Sequence, residues 1–184
     1  KYAMRVYQKY GSGGRDMICA NPYLLCSSGI ELEFQRVEKL AHDMNISKDS
    51  PERVAAGIEF ILAYNTKNGY TCLPLEKLEP KASEYLNISQ KVFYEVYRQE
   101  LAEENLFEYV RGEYLPEYYR AESYIADRIR VLNDFSTRDE LSKYEKMIDE
   151  EELKHRIKYE SLQREAIATA LSRSIMIMTG GPGT

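Results

Sequence analysis

The sequence predicts a mainly α-helical protein with one small β-hairpin, closing on the start of an α/β unit. Three observations predict it. Apolar residues recur at three- and four-residue spacing through most of the chain. The period shortens to two around Arg111-Gly112. The last residues, "SIMIMTGGPGT", join an apolar, β-prone run to a cluster of glycines.

Residues 1–48 read as a helical-hairpin region. Ala3, Val6, Tyr7 and Tyr10 share one helical face, and Gly11 to Gly14 stop that helix. A second helix passes through Met17 and Ile18. The Asn21-Pro22 turn opens a short helix around Tyr23 to Cys26, and a tight turn at Ser27 to Ile30 feeds a further helix with Phe34, Val37, Leu40 and Ala41 on one face. Two helices joined by a glycine turn make a helix-hairpin-helix-like unit.

Residues 49–120 follow a different order. Ser50 is placed as an N-cap, Pro51 at the first helical position and Glu52 in the first turn. Val54, Ile58, Ile61 and Leu62 form the buried stripe of that helix, and Asn68-Gly69 ends it. In "LPLEKLEPKASEYL" the helix is kinked by Pro80 or restarts there, because proline lacks the N–H the helical ladder needs. Ser89 caps the next helix, with Val92, Phe93, Val96, Tyr97 and Leu101 on one side. "LFEYVRGEYLPEYYR" then alternates around Arg111-Gly112 as a hairpin. Three helices and a hairpin in this order make a winged-helix-like region.

Residues 121–160 read as connecting helices. One runs to about Leu132, a turn covers Asn133 to Ser136, and a long charged helix spans roughly Thr137 to Tyr159. From residue 161 to 184 a helix over Leu162 to Leu171, a strand over Ser174 to Met178 and a glycine loop give the opening of a truncated P-loop α/β domain.

Composition narrows the function classes. At 184 residues, 43% hydrophobic and 30% charged, the chain fits one ordinary domain or two small ones. A net charge of −5 argues against coating nucleic acid by bulk electrostatics, while leaving room for a local basic groove. Cys19, Cys26 and Cys72 lack a C-x2-C spacing, so neither a zinc site nor a disulfide framework is supported, and inert thiols in a reducing cytoplasm are expected. No apolar run reaches 18 residues. Both ends look cut, with Lys1 in place of an initiating Met and a motif interrupted at Thr184.

That motif is the phosphate-binding loop G-x-x-x-x-G-K-[ST], whose glycines let backbone N–H groups surround phosphate. Gly180, Gly181, Pro182, Gly183 and Thr184 fill its first five places, and the sequence stops before the G-K-[ST]. Gln163 lies near the start of the preceding helix, where a carboxamide can both donate to and accept from an adenine edge.

Together "LQREAIATAL" and "IMIMTGGPGT" resemble the start of the motor of RecD-like ATP-dependent DNA helicases, the RecD/TraA family of superfamily 1. Upstream, "NPYLLC", "DSPERVAAGI", "NGYTCLP" and "YLPEYYRAE" resemble the N-terminal region of the long, stand-alone RecD-like proteins. The resemblance implies a parent enzyme that hydrolyses ATP with Mg²⁺ and moves 5′ to 3′ along single-stranded DNA, unwinding duplex in recombination or repair. It implies Gln163 on adenine and Gly180 to Thr184 at the start of a triphosphate cradle. The catalytic residues and metal ligands would all lie beyond Thr184, so this chain alone is expected to be inactive as an ATPase. Implied partners are single-stranded or forked DNA and the rest of the motor, with no membrane and a cytoplasmic location. One departure stands out: where the family's hairpin reads like G-I-G, this chain has "GIELEF", placing Glu31 and Glu33 where a phosphate sits badly. Packing is therefore the expected role of that hairpin. The competing reading is a non-enzymatic winged-helix or helical-hairpin module that binds DNA or a protein.

Other candidates are weaker. Lys91, Arg98 and Arg111 fall on the third helix and wing, but Glu95, Glu100, Glu103 and Glu104 share that helix, which favours docking against the motor. "EKMIDEEELKHRIK" has the Glu-to-Lys spacing of a solvated face, and His42 and His155 are isolated. The Tyr-rich run "YLPEYYRAESY" has base stacking as one reading and core packing as the favoured one.

Overall fold

The computed structural model describes residues 1–134 and 141–181. Two compact units divide them, Lys1–Arg120 and the residues from Ala121 onward.

In the first unit α1 (Tyr2–Tyr10) passes through a single 3-10 turn into α2 (Gly14–Ala20). The Asn21 side chain accepts the Tyr23 N–H at 2.9 Å and starts a 3-10 helix over Pro22–Cys26. The chain turns over residues 27–30 into α3 (Phe34–Asp43). Phe34, Val37 and Ala41 of α3 are buried as expected, but Leu40 is 38% exposed, because it lies at the edge of the stripe and not beneath it. α4 (Pro51–Thr66) starts where its signals place it, with Ser50 Oγ accepting the Arg53 N–H at 3.3 Å.

β1 (Cys72–Leu73) precedes α5 (Leu75–Leu86), which runs through Pro80 without restarting. Pro80 is exposed, and the adjoining Glu79 is buried and satisfied by Ser83 Oγ at 2.9 Å and Gln90 Nε2 at 3.1 Å. That second bond ties α5 to the start of α6 (Gln90–Ala102), where Ser89 Oγ caps the Val92 N–H at 3.4 Å.

The hairpin consists of β2 (Phe107–Tyr109) and β3 (Gly112–Tyr114), and β1 joins it in the antiparallel order β1-β3-β2. Helix, strand, two helices and a hairpin, with the first strand on the hairpin's edge, is the winged-helix arrangement. The reversal falls at Val110-Arg111, one residue earlier than the sequence suggests, because Gly112 already belongs to β3. Gly112 sits at φ +139°, and a Cβ there would come within 2.6 Å of the Leu73 carbonyl, so only glycine lets β1 and β3 approach. α7 (Pro116–Asp134) begins five residues before the expected Ala121, with proline at its first position.

A continuous core holds this unit together. Tyr23, Leu25, Ile30, Phe34 and Val37 from the hairpin region pack with Val54, Ile58, Leu62, Leu78, Leu86 and Phe93. Burying side chains of this size contributes about 1.5–3 kcal/mol each.

In the second unit α8 (Leu141–His155) packs on α9 (Ser161–Ser172) through Tyr144, Ile148 and Ala168. The start expected for this helix at Thr137 lies outside the described residues. α8 ends four residues before the expected Tyr159, because Glu152 turns inward to accept the Tyr159 N–H at 2.8 Å and Arg156 takes a left-handed φ of +53°. Arg164 then braces the pair, 2.6 Å from Asp149 and 2.9 Å from Glu152. The expected strand at Ser174–Met178 does not form. A strand exists only through pairing, and no second strand lies in this unit among the described residues.

Candidate nucleic-acid interface

The helical hairpin is built around Ser27. Its carbonyl accepts the N–H groups of both Ile30 (3.1 Å) and Glu31 (3.0 Å), and the fully buried Ile30 pins the turn from below. Ser28 and Gly29 are left at an exposed tip, where neither N–H has an acceptor among the described contacts.

Two cations from α1, one helical turn apart, bracket that tip. Lys9 Nζ donates to Ser27 Oγ (2.9 Å) and to the Ser28 carbonyl (2.7 Å), and Arg5 donates to the Ile30 carbonyl at 2.7 Å. The glutamates that argued against phosphate each stand beside an arginine, Glu31 3.8 Å from Arg5 and Glu33 3.2 Å from Arg36. Arg5 and Lys9 are not among the site residues that the sequence alone predicts. Their four-residue spacing was the only signal, and nothing local connects it to a turn some twenty residues away.

The base of the hairpin is fixed by an ion pair. Arg53 of α4 meets Glu38 of α3 with Nε at 3.0 and 3.1 Å and Nη2 at 2.7 Å, while Tyr23 Oη donates to Glu38 at 2.6 Å. Arg53 also donates to the carbonyls of Lys48 (2.7 Å) and Leu86 (3.0 Å), so one side chain ties the hairpin region to α4 and the end of α5. Burial opposes the Arg53 charge, but Glu38 outweighs it and the pKa rises. The neighbouring Cys26 thiol is pushed up to about 12 by burial, and further by Glu59 and Glu38, which leaves it unreactive.

On the winged-helix face Lys91 is exposed and 3.8 Å from Glu95, Arg98 is exposed, and Arg111 is exposed at the wing turn. The wing carries a ring cluster, with Phe107 stacked on Tyr119 at 4.5 Å, Arg120 5.9 Å above Phe107, and Tyr109 59% exposed. Of the Tyr-rich run, Tyr114 is buried, Tyr118 and Tyr119 are half-buried and Tyr124 is exposed.

Beneath the wing Glu113 is 1% exposed, and its Oε2 and the Tyr97 hydroxyl are buried without hydrogen-bond partners. Burial lifts the Glu113 carboxyl to about 7; the nearby Tyr97 phenol offsets part of this, and Glu108 on the facing strand adds to it.

Between the 3-10 helix that leads into the hairpin, α4 and the end of α6, a crevice of about 290 Å³ is lined by Leu24, Ser27, Ala55, Glu59, Glu100 and Glu103. Glu59 is reachable by solvent but crowded by protein, and its pKa is raised by desolvation and then by Glu117 and Glu100, with Lys9 opposing. So acidic a crevice repels a nucleic-acid backbone.

In the second unit Gln163 is the third residue of α9 and closes a capping box. The Glu160 carboxylate accepts the Gln163 N–H, and Gln163 Oε1 accepts the Glu160 N–H at 3.0 Å. Its carboxamide oxygen is therefore engaged. Gly180 and Gly181 are exposed and without regular structure, while Pro182, Gly183 and Thr184 lie outside the described residues. The described residues form no triphosphate cradle. Among them no helix is long and apolar enough to cross a membrane.

A protein-family model described as the ATP-dependent RecD2 DNA helicase HHH domain matches residues 1–72. That stretch contains both α1 cations, the hairpin and all of α4. Residues 1–72 are thus similar to the helix-hairpin-helix domain of RecD2-type DNA helicases.

Proposed function

We propose that the chain is the DNA-binding accessory region at the N-terminal side of a RecD2-type helicase, and that its hairpin holds a DNA backbone phosphate. The observation that carries this is the tip at Ser28-Gly29, with two open N–H groups between Arg5 and Lys9, inside the stretch similar to the family's domain. Backbone N–H groups and cations position a phosphate without reading sequence, which suits a motor that must act anywhere along DNA.

In this reading the parent enzyme hydrolyses ATP with Mg²⁺, travels 5′ to 3′ on single strands and unwinds duplex in recombination or repair. Its partners are single-stranded or forked DNA and the remainder of the motor. Gln163 would leave its capping role to meet adenine, and Gly180 to Thr184 would begin the phosphate loop. Lys91, Arg98 and Arg111 share their face with glutamates, so the winged helix docks on the motor more than on DNA. The 184-residue chain neither binds ATP tightly nor turns it over, and magnesium-dependent ATP turnover by this chain would contradict that statement.

Fluorescence anisotropy with a labelled fork tests the hairpin. The wild-type chain binds, and R5A/K9A lowers the slope of log affinity against log salt by about 2, one for each lost phosphate contact. Unchanged binding and slope in the double variant would remove the hairpin from the interface.

A further inference from the structure

We infer that the exposed end of an aromatic cluster on α3, α4 and α5 is a second nucleic-acid site, which stacks the bases of single-stranded DNA. This rests on the reading of the chain as a DNA-binding region, but uses residues the hairpin does not.

Four rings form the cluster, and Tyr64 and Tyr85 are its exposed end. Phe34 and Phe60 stack with centroids 5.2 Å apart and planes at 17°, Phe60 and Tyr85 stack at 5.5 Å and 25°, and Tyr64 lies 6.5 Å from Phe60 one turn further along α4. The cluster runs from core to solvent without closing over, with Phe34 3% exposed, Tyr85 47% and Tyr64 60%. Gln35 Nε2 also donates to Tyr85 Oη at 3.3 Å, which holds the outer ring in place.

Charge selects the ligand. Lys81 stands one turn before Tyr85 on α5, Lys67 three residues after Tyr64 at the end of α4, and Lys39 one turn after Gln35 on α3. None of the three has an ion pair or hydrogen bond among the described contacts. The carboxylate of Glu38 is already taken by Arg53 and Tyr23, which leaves Glu84, exposed beside Tyr85 on α5, as one acid against the three lysines. In a chain of net charge −5, a set of open rings bordered by three unpaired lysines is not a general surface. An apolar protein partner would use the rings and gain nothing from the lysines. A single strand uses both, stacking bases on the rings while its phosphates meet the ammonium groups. Since every base has a π-face, the site takes DNA with little sequence preference.

Anisotropy with a labelled oligothymidylate of about twenty nucleotides, beside a blunt duplex of equal length, tests this. The Y64L/Y85L variant is expected to lose about ten- to hundredfold in affinity for the single strand while keeping its duplex affinity. The K39A/K67A/K81A variant is expected to flatten the single-strand salt slope by about 2. Because Tyr64 is mostly exposed, Y64L alone preserves the fold and shows the same direction if the double variant misfolds. Single-strand affinity unchanged in Y64L and in the lysine variant overturns the inference. So does a wild-type dimer that Y64L dissolves in sedimentation, which would make the cluster a contact between copies. Loss confined to duplex binding in R5A/K9A and to single-strand binding in Y64L/Y85L supports two separate sites. An R5A/K9A variant with intact duplex binding defeats the hairpin while leaving the ring site standing.

Discussion

Replacing Glu113 with glutamine should stabilise the protein, and by an amount that depends on pH. The carboxyl is 1% exposed with one oxygen unpartnered, and burial lifts it from 4.5 to about 7. At about 1.36 kcal/mol per pH unit, this corresponds to about 3 kcal/mol. Below 4.5 the group is protonated both folded and unfolded. Between 4.5 and about 7 the folded protein keeps the proton and the unfolded chain releases it, so stability falls as pH rises. Above about 7 the whole cost is present. Glutamine keeps the shape, carries no charge and can donate toward the Tyr97 hydroxyl. Urea denaturation followed by circular dichroism should place E113Q about 2–3 kcal/mol above wild type at pH 8 and level with it near pH 4.5. Glu59 and Glu100 are also raised, but they titrate in both proteins and cancel in the comparison. An equal gap at both pH values, or a less stable E113Q at pH 8, would refute the reasoning.

Two further substitutions test the packing that positions the hairpin. E38A leaves Arg53, only 13% exposed, without its carboxylate, and should cost about 3 kcal/mol in denaturant unfolding, with R53M/E38L recovering most of it. G57A would bring a methyl within 2.6 Å of the buried Leu86 side chain and should lower stability by about 1–3 kcal/mol despite alanine's better helix propensity, visible as a lower Tm.

The local signals were legible where a few adjacent residues decide the outcome. Ser50-Pro51-Glu52 and Ser89 start helices because a cap needs only its own side chain and the next turn. Val54, Ile58, Leu62, Phe93 and Val96 are buried because helical spacing puts them on one face. What escaped is set by partners far away in sequence. β1 is two residues long, too short for any period, and exists only because Tyr114 and Glu113 lie opposite it. Ser174–Met178 has the composition of a strand and no strand to pair with among the described residues. Arg5 and Lys9 acquire meaning only when the chain folds Ser27 to Ile30 back onto α1. The capping box at Gln163 is also written locally, in Glu160 three residues before it.

Salt dependence of fork binding by the 184-residue chain tests whether this is a DNA-binding region despite its negative charge. With a phosphate held between Arg5 and Lys9, the logarithm of the affinity falls linearly with the logarithm of salt concentration, with a slope of about −2 or steeper. No measurable binding at low salt, or an affinity that salt leaves unchanged, would contradict it.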